Sequence, residues 1–161
     1  MNPIFMTTRT ELTDKGYRFE RTDFNRPWGG FFVIDEADAP KFVQEYFPGL
    51  SEEELIGGRK VSPKILLVAP QKRLSWQYHH RRSEVWRVLE GPVGIMRSDT
   101  DEQTTVREYR PGEVITLKKG ERHRLVGLDG WGKVAEIWQH TEADHPSDED
   151  DIVRLQDDFG R

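Results

Sequence analysis

The chain has 161 residues, a length that suits one domain and lets it bury roughly two-thirds of the surface its unfolded form exposes. Its 29 acidic and 24 basic residues give a formal net charge of -5, and acids crowd into EADHPSDEDD (142–151), so no basic nucleic-acid footprint is present. Cysteine is absent, which excludes disulfides, thiol nucleophiles and thiolate metal sites and leaves imidazole, carboxylate or amide as the available ligands.

The opening residues, MNPIFMTTRTELTDKG, carry neither a basic leader region nor a long apolar run. No stretch approaches the ~20 apolar residues of a membrane span. A cytoplasmic protein that binds neither membrane nor nucleic acid is expected. Residues 1–24 are polar and weakly patterned and read as an arm that docks or stays loose. RPWGGFFVIDE then places Pro and a Gly pair before a β-branched and aromatic run, which predicts a first core strand at about residues 30–34.

Between residues 38 and 56 the pattern turns helical. Asp38 can cap a helix with Pro40 in its first turn, and Phe42 with Tyr46, or Val43 with Phe47, shares a face. Ser51 and Glu54 have capping-box spacing for a second short helix. Together these predict a small helical insertion at about 38–60.

From Val61 the runs KILLVA, EVWRVLEG, VGIMRS, TTVREY, EVITLK, RHRLVGL and KVAEIWQ recur at short spacing, broken by Gly, Pro, Asp and Lys. Such runs, roughly 8–12 residues apart, predict an antiparallel sandwich or barrel. Alternation places Glu84, Trp86 and Val88 on one face. It does not decide whether Ile115 and Leu117 or Val114 and Thr116 face inward.

LSWQYHHRRSEVWRVLEG (74–91) holds the densest polar chemistry. Gln77 and His79, two apart on a strand, point the same way, and His80 points the other. The HRRS that follows reads as a bend, after which Glu84 can return to the same interior, and His123 in KKGERHRL begins another strand. Two imidazoles, a carboxylate and an amide oxygen suit a divalent ion and leave positions open for water or substrate. On spacing alone, a solvated bend explains the same residues. Trp76 and Trp86 read as packing residues rather than substrate platforms.

Gln77-x-His79-x4-Glu84-x6-Gly91 resembles the first cupin motif, with glutamine in place of its first histidine. Gly112-x5-Lys118-x-Gly120-x2-His123 resembles the second. RPWGGF, KILLVAP, LSWQYHHRRSEVW, PGEVITL, GERHRL, AEIWQ and EDDIVRLQDDFGR, in that order, resemble the cupin-type (type II) phosphomannose isomerases. That family also supplies the C-terminal half of bifunctional mannose-1-phosphate guanylyltransferases. The sequence departs from the family pattern at Gln71 (glycine expected), Arg81 (often histidine), Lys118 (proline) and Gly127 (asparagine).

The resemblance implies an all-β cupin jelly-roll, residues 25–161, carrying the helical insertion and preceded by the arm. It implies Gln77, His79, Glu84 and His123 as ligands of a divalent metal, zinc first, and a small sugar phosphate as partner. The implied reaction is the interconversion of mannose 6-phosphate and fructose 6-phosphate. Glu136, matched in AEIWQ, and Lys64, which alternates with Leu66 and Val68, are the acid-base candidates; His80 is a weaker third. A salt bridge, between the two or with other groups, is their competing reading. Arg82 and Arg154 are candidates for the substrate phosphate, and for Arg154 an ion pair with Asp150, Asp151 or Asp157 is the alternative. No Gly-rich nucleotide loop precedes the barrel, so guanylyltransferase activity is not expected. A homodimer is expected from the habits of cupin barrels. A carbohydrate-sensing module without turnover, or a metal cupin acting on another small polar molecule, are the other functions considered.

Overall fold

The structure is a computed structural model describing residues 1–51, 60–142 and 144–160. In chain order it contains α1 (Pro3–Asp14), β1 (Phe19–Arg26), β2 (Gly29–Ile34), a 3-10 turn (Glu36–Asp38), α2 (Ala39–Tyr46) and β3 (Lys64–Val68). Then come β4 (Trp76–Tyr78), β5 (Arg82–Glu90), β6 (Val93–Ser98), β7 (Arg107–Tyr109), β8 (Val114–Leu117), β9 (Arg122–Gly127), β10 (Gly132–His140) and β11 (Val153–Gln156). Two antiparallel sheets result. One runs β1-β2-β3-β10-β5-β8 and the other β11-β4-β9-β6-β7. This is the expected jelly-roll of the cupin type, with small helices on its outside.

Alternation within the larger sheet creates two cores. Phe32, Ile34, Ile65, Leu67, Val85, Ala135 and Ile137 pack outward against Phe5 and Leu12 of α1 and Phe42 and Val43 of α2. Their alternate neighbours Phe31, Val33, Leu66, Val68, Trp86, Val88 and Val134 pack inward with Ile95, Ile115, Leu117 and Leu125, between the sheets. Strands β2 and β3 are buried on both faces, which is why GGFFVI and KILLV read as unbroken apolar runs. Glu84, Trp86 and Val88 do share a face. Edge strand β8 buries Ile115 and Leu117 and exposes Val114 and Thr116.

Gly29 shows how closely β2 lies on β3. Its φ of +146° lies outside the range L side chains favour, and an added Cβ would sit 2.0 Å from the Leu67 carbonyl oxygen.

The N-terminal region is more structured than its sequence suggests. Residues 3–14 form α1, with the Asn2 side chain accepting from the Ile4 N–H at 2.9 Å and Pro3 in the first turn. Phe5, Thr8 and Leu12, spaced three and four apart, are its buried face. Strand β1 runs from 19 to 26, across the expected arm boundary at 24/25, and the first core strand β2 therefore has an earlier partner. Removing the Leu12 side chain tests whether α1 belongs to the cooperative unit. Leu12 is 3% exposed, so Leu12→Ala is expected to lower unfolding free energy by about 2–5 kcal/mol in a denaturant titration. An unchanged midpoint would make α1 an independent appendage.

In α2, Phe42, Val43 and Tyr46 are buried, as their spacing predicts, and so is Phe47 just beyond it. Asp38 differs from expectation: it stands at the N-cap but makes no capping bond. Its carboxylate instead binds the Arg18 backbone N–H at 2.9 Å and guanidinium at 3.0 Å. The second helix expected from Ser51 and Glu54 falls on residues 52–59, which lie outside the described residues.

Candidate functional site

Sheet register brings the polar residues into two facing rows. On the smaller sheet Gln77 of β4 lies opposite His123 of β9 and Arg154 of β11. On the larger one Glu136 of β10 lies opposite Lys64 of β3 and Trp86 of β5, and Glu84 lies opposite Trp138. Gln77, Glu84, His123, Lys64, Glu136, Arg82 and Arg154 line one cavity of about 460 Å³ between the sheets. Its apolar wall includes Trp28, Phe31, Leu66 and Trp86.

At one end of this space His79, Glu84 and His123, each 2% exposed, bring ligand atoms within 4.8 Å of one another. His79 Nε2 is 3.6 Å from Glu84 Oε2, and His123 Nε2 is 3.3 Å from Glu84 Oε1. His79 Nδ1 lies 2.6 Å from the Asp151 carbonyl and His123 Nδ1 lies 3.1 Å from the Glu121 carbonyl. A carbonyl oxygen can only accept, so in each neutral ring the proton sits on Nδ1 and the Nε2 lone pair faces the carboxylate. Arg82 Nη2 stands 3.4 Å from His79 Nε2 and 3.0 Å from Glu84 Oε2, but no proton lies between His123 Nε2 and Glu84 Oε1, and a lone pair facing a carboxylate oxygen calls for a cation. Glu84 Oε1 accepts no hydrogen bond among the described residues, the mark of a missing partner.

The charges agree with this reading. Burial drives the His79 imidazole down to about 4, keeping it neutral as a metal ligand must be. Burial also opposes ionisation of Glu84, but neighbouring positive charge, the Arg82 guanidinium above all, holds its carboxyl well below the usual range.

Gln77 completes the set from the second sheet. Its amide nitrogen stands 3.4 Å from His79 Nε2 and 3.5 Å from His123 Nε2, while Ser75 Oγ donates to Oε1 at 2.6 Å. Rotating the amide by half a turn presents Oε1 to the cluster and lets Ser75 Oγ accept from the amide. The site therefore fits a divalent cation held by two imidazoles and a carboxylate, with the Gln77 amide oxygen available as a fourth donor.

Arg82 sits behind the cluster. It is 6% exposed, its guanidinium lies 3.8 Å from the Trp138 ring centroid, and Nε and Nη2 both reach Glu84 Oε2 at 3.0 Å. Nη1 donates to Ser147 Oγ and the Asp148 carbonyl. Its donors are thus directed at protein acceptors, and it holds Glu84 by one oxygen while the other stays available.

Lys64 and Glu136 are buried and adjacent across strands, but they are not each other's ion pair. Lys64 Nζ binds Glu149 at 3.0 Å and lies 4.7 Å from the Trp138 ring centroid. Glu136 accepts from Trp138 Nε1 at 3.2 Å. Burial and the Glu84 carboxylate push Glu136 up to about 7 against the pull of Lys64 and Arg82, so this carboxyl exchanges a proton near neutrality.

His80 is exposed in the bend after β4 and its ring stands at a steep angle to Tyr78, away from the cluster as expected. Arg154 is exposed at the cavity. Trp76 and Trp86 are packing residues, each 2% exposed or less, although Trp86 also lines the cavity and sets its edge against the His123 ring. Arg21, Arg26 and Glu149 also reach the cavity wall; Arg26 and Glu149 open the stretches RPWGGF and EDDIVRLQDDFGR, but none of the three was among the expected site residues. No helix among the described residues is long and apolar enough to cross a membrane.

Comparison with known proteins agrees with this geometry. The family model described as Mannose-6-phosphate isomerase C-terminal matches residues 39–157. The xanthan biosynthesis protein XanB of Xanthomonas campestris pv. campestris is 30% identical over 141 residues, covering 84% of this chain but 23% of that protein. The alginate biosynthesis protein AlgA of Pseudomonas aeruginosa is 30% identical over 141 residues, 84% of this chain and 22% of its own length. The chain thus spans less than a quarter of the curated relatives it matches. Among solved structures, the capsular polysaccharide assembling protein CapF from Staphylococcus aureus superposes with a TM-score of 0.56 at 15% identity, covering 89% of this chain and 36% of CapF, which is a likeness of fold. The chain belongs to the mannose-6-phosphate isomerase C-terminal family.

Proposed function

We propose that this member of the mannose-6-phosphate isomerase C-terminal family is a metal-dependent aldose-ketose isomerase acting on mannose 6-phosphate and fructose 6-phosphate. The observation that carries the reading is a buried carboxyl able to exchange a proton near neutrality, Glu136, sharing one cavity with Glu84 and His123 of the cluster that His79 completes. Isomerisation needs both. A base must take the C2 proton of the open-chain aldose and return it to C1, and negative charge developing on the sugar oxygens must be stabilised.

His79, Glu84, His123 and Gln77 would hold the ion, and zinc is the ion we propose for this nitrogen and oxygen donor set. A divalent cation there supplies Lewis-acid polarisation of the C1 and C2 oxygens. Glu136, as carboxylate, accepts the C2 proton while the C–H electron pair becomes the C1–C2 double bond, and it then delivers the proton to C1. Lys64, its cross-strand neighbour, is the second proton-bearing group on that wall and serves the transfer between O2 and O1. Arg154 at the cavity mouth supplies the planar donors a phosphate binds. The apolar wall of Trp28, Phe31 and Leu66 offers the sugar carbons a surface to pack against.

A coupled assay with mannose 6-phosphate, run on protein of known metal content with and without chelator, tests the reading. Turnover that chelation abolishes and zinc restores is expected. Mannose 6-phosphate binding without turnover in the metal-loaded protein would instead support a sensing module.

A further inference from the structure

The motif DDIVR has a structural role that no catalytic assignment covers. The segment from Ser147 to Arg154 meets the residues of the cation site at Ser147 and Asp148, which accept from Arg82, at Asp151, which meets His79, and at Arg154, which pairs with Gln77. Asp151, 3% exposed, accepts from the His80 backbone N–H at 2.8 Å, the Arg81 backbone N–H at 2.9 Å and Ser147 Oγ at 2.6 Å. Its own carbonyl takes the His79 Nδ1 proton at 2.6 Å. Ser147 Oγ in turn accepts from Arg82 at 3.2 Å, and Arg154 then pairs beside Gln77.

We propose that residues 147–154 form a clasp that completes the cation site, with Asp151 the positioning residue that fixes which ring nitrogen His79 turns toward Glu84. The proposal rests on the metal reading of that cluster. Asp151 does this through both its side chain and its backbone. Two carboxylate oxygens tie it to the turn following His79, so its backbone carbonyl is held against the ring of the residue whose loop it grips. His123 offers the contrast. Its Nδ1 partner, the Glu121 carbonyl, is two residues away on its own chain segment, so no remote anchor is needed. The acceptor for His79 comes from 72 residues away, and its placement depends on the clasp. Hydrogen bonds to the non-ligating nitrogen set the orientation and basicity of a metal-bound imidazole.

Asp151→Asn is the informative substitution, because it keeps the shape but sets an amide N–H2 against one of the two backbone N–H donors. Three measurements separate the outcomes: unfolding midpoint, imidazole tautomers from long-range 1H–15N correlation spectra of the metal-free protein, and affinity for Zn2+ and Co2+ by titration. In the wild type both His79 and His123 are expected as Nδ1–H tautomers. In Asp151→Asn, His79 alone becomes a mixture, His123 is unchanged, and zinc affinity falls about 10- to 100-fold.

Should Asp151→Asn not fold, Ser147→Ala removes one of the three bonds to the same carboxylate, and a partial shift of the His79 tautomer with a several-fold loss of zinc affinity is expected. A folded variant with the wild-type His79 tautomer and wild-type zinc affinity overturns the proposal. So does an equal disturbance of His79 and His123, which would mean general loosening. A wild-type protein that binds neither Zn2+ nor Co2+ would remove the metal reading instead, and the tautomer comparison would still decide whether the clasp orients His79.

Discussion

Glu84→Ala is expected to destabilise the protein by about 3–5 kcal/mol and to abolish zinc binding, although the residue touches no bulk solvent. The reason is Arg82. Arg82 is 6% exposed and places two nitrogens on Glu84 Oε2, so loss of the carboxylate leaves a buried charge facing the neutral acceptors Ser147 Oγ, the Asp148 carbonyl and His79 Nε2. Replacing both residues removes the penalty: the Arg82→Met, Glu84→Met double variant is expected to recover most of the lost stability, since apolar replacement of a buried ion pair is often neutral or favourable. Metal affinity does not return in the double variant. Denaturant titration and zinc titration of the two single variants and the double variant test this. Stability and zinc affinity recovering together would mean that the cluster is not the binding site, and failure of the double variant to recover stability would mean that the pair is retained for packing.

The sequence reveals the rows of this site better than their ends. Gln77, Glu84, His123, Lys64 and Glu136 lie within regular strands, where side-chain direction follows from a period of two and the apolar neighbours mark the inner face. The partners of these residues are harder to read. Asp151 and Glu149 lie in an acidic run that reads as solvated, yet one grips the His79 turn and the other neutralises Lys64; an exposed acid and a buried one look alike until the chain folds back over the barrel. Arg82 belongs to the HRRS bend, and only the Trp138 ring at 3.8 Å and the Glu84 carboxylate show that it is interior. Helix α1 is hidden for a different reason. Its buried face includes only two apolar residues, Phe5 and Leu12, with Thr8 between them, too thin a stripe to stand out in a polar segment.

Two departures from the family motifs become intelligible in the backbone. Gln71 has a φ of +62°, in the left-handed region where glycine is cheapest, and its side chain offsets some of that cost by donating to the Leu128 carbonyl at 3.1 Å. At Gly127 a Cβ would lie 2.0 Å from the Ala69 carbonyl oxygen, so in this chain the close approach of the two segments requires glycine. Neither position touches the cation cluster, and neither departure changes the donor set.

Glu136→Gln is expected to lower kcat by about 100- to 10,000-fold with little change in KM, the size of effect that follows loss of a positioned general base. Glutamine keeps the volume and an oxygen for the Trp138 Nε1 bond, so the fold and the cavity are retained while the proton acceptor is lost. The pH dependence identifies the group. A base must be ionised to take the C2 proton, so kcat rises as pH rises through the Glu136 pKa. In the metal-free protein that value is raised to about 7 by burial and by Glu84, and a cation neutralising Glu84 draws it down, so the ascending limb of the loaded enzyme lies below the metal-free titration. Stability moves in the opposite sense. Because the folded protein holds this proton more tightly than the unfolded chain, native stability falls as pH rises from the ordinary carboxylate range toward 7, then levels off. Glu136→Gln removes that slope. Measuring kcat and unfolding free energy between about pH 4.5 and 8 in both proteins decides the matter: a Glu136→Gln enzyme that retains wild-type turnover and the same ascending limb would transfer the base role to another residue, with Lys64 the next to test.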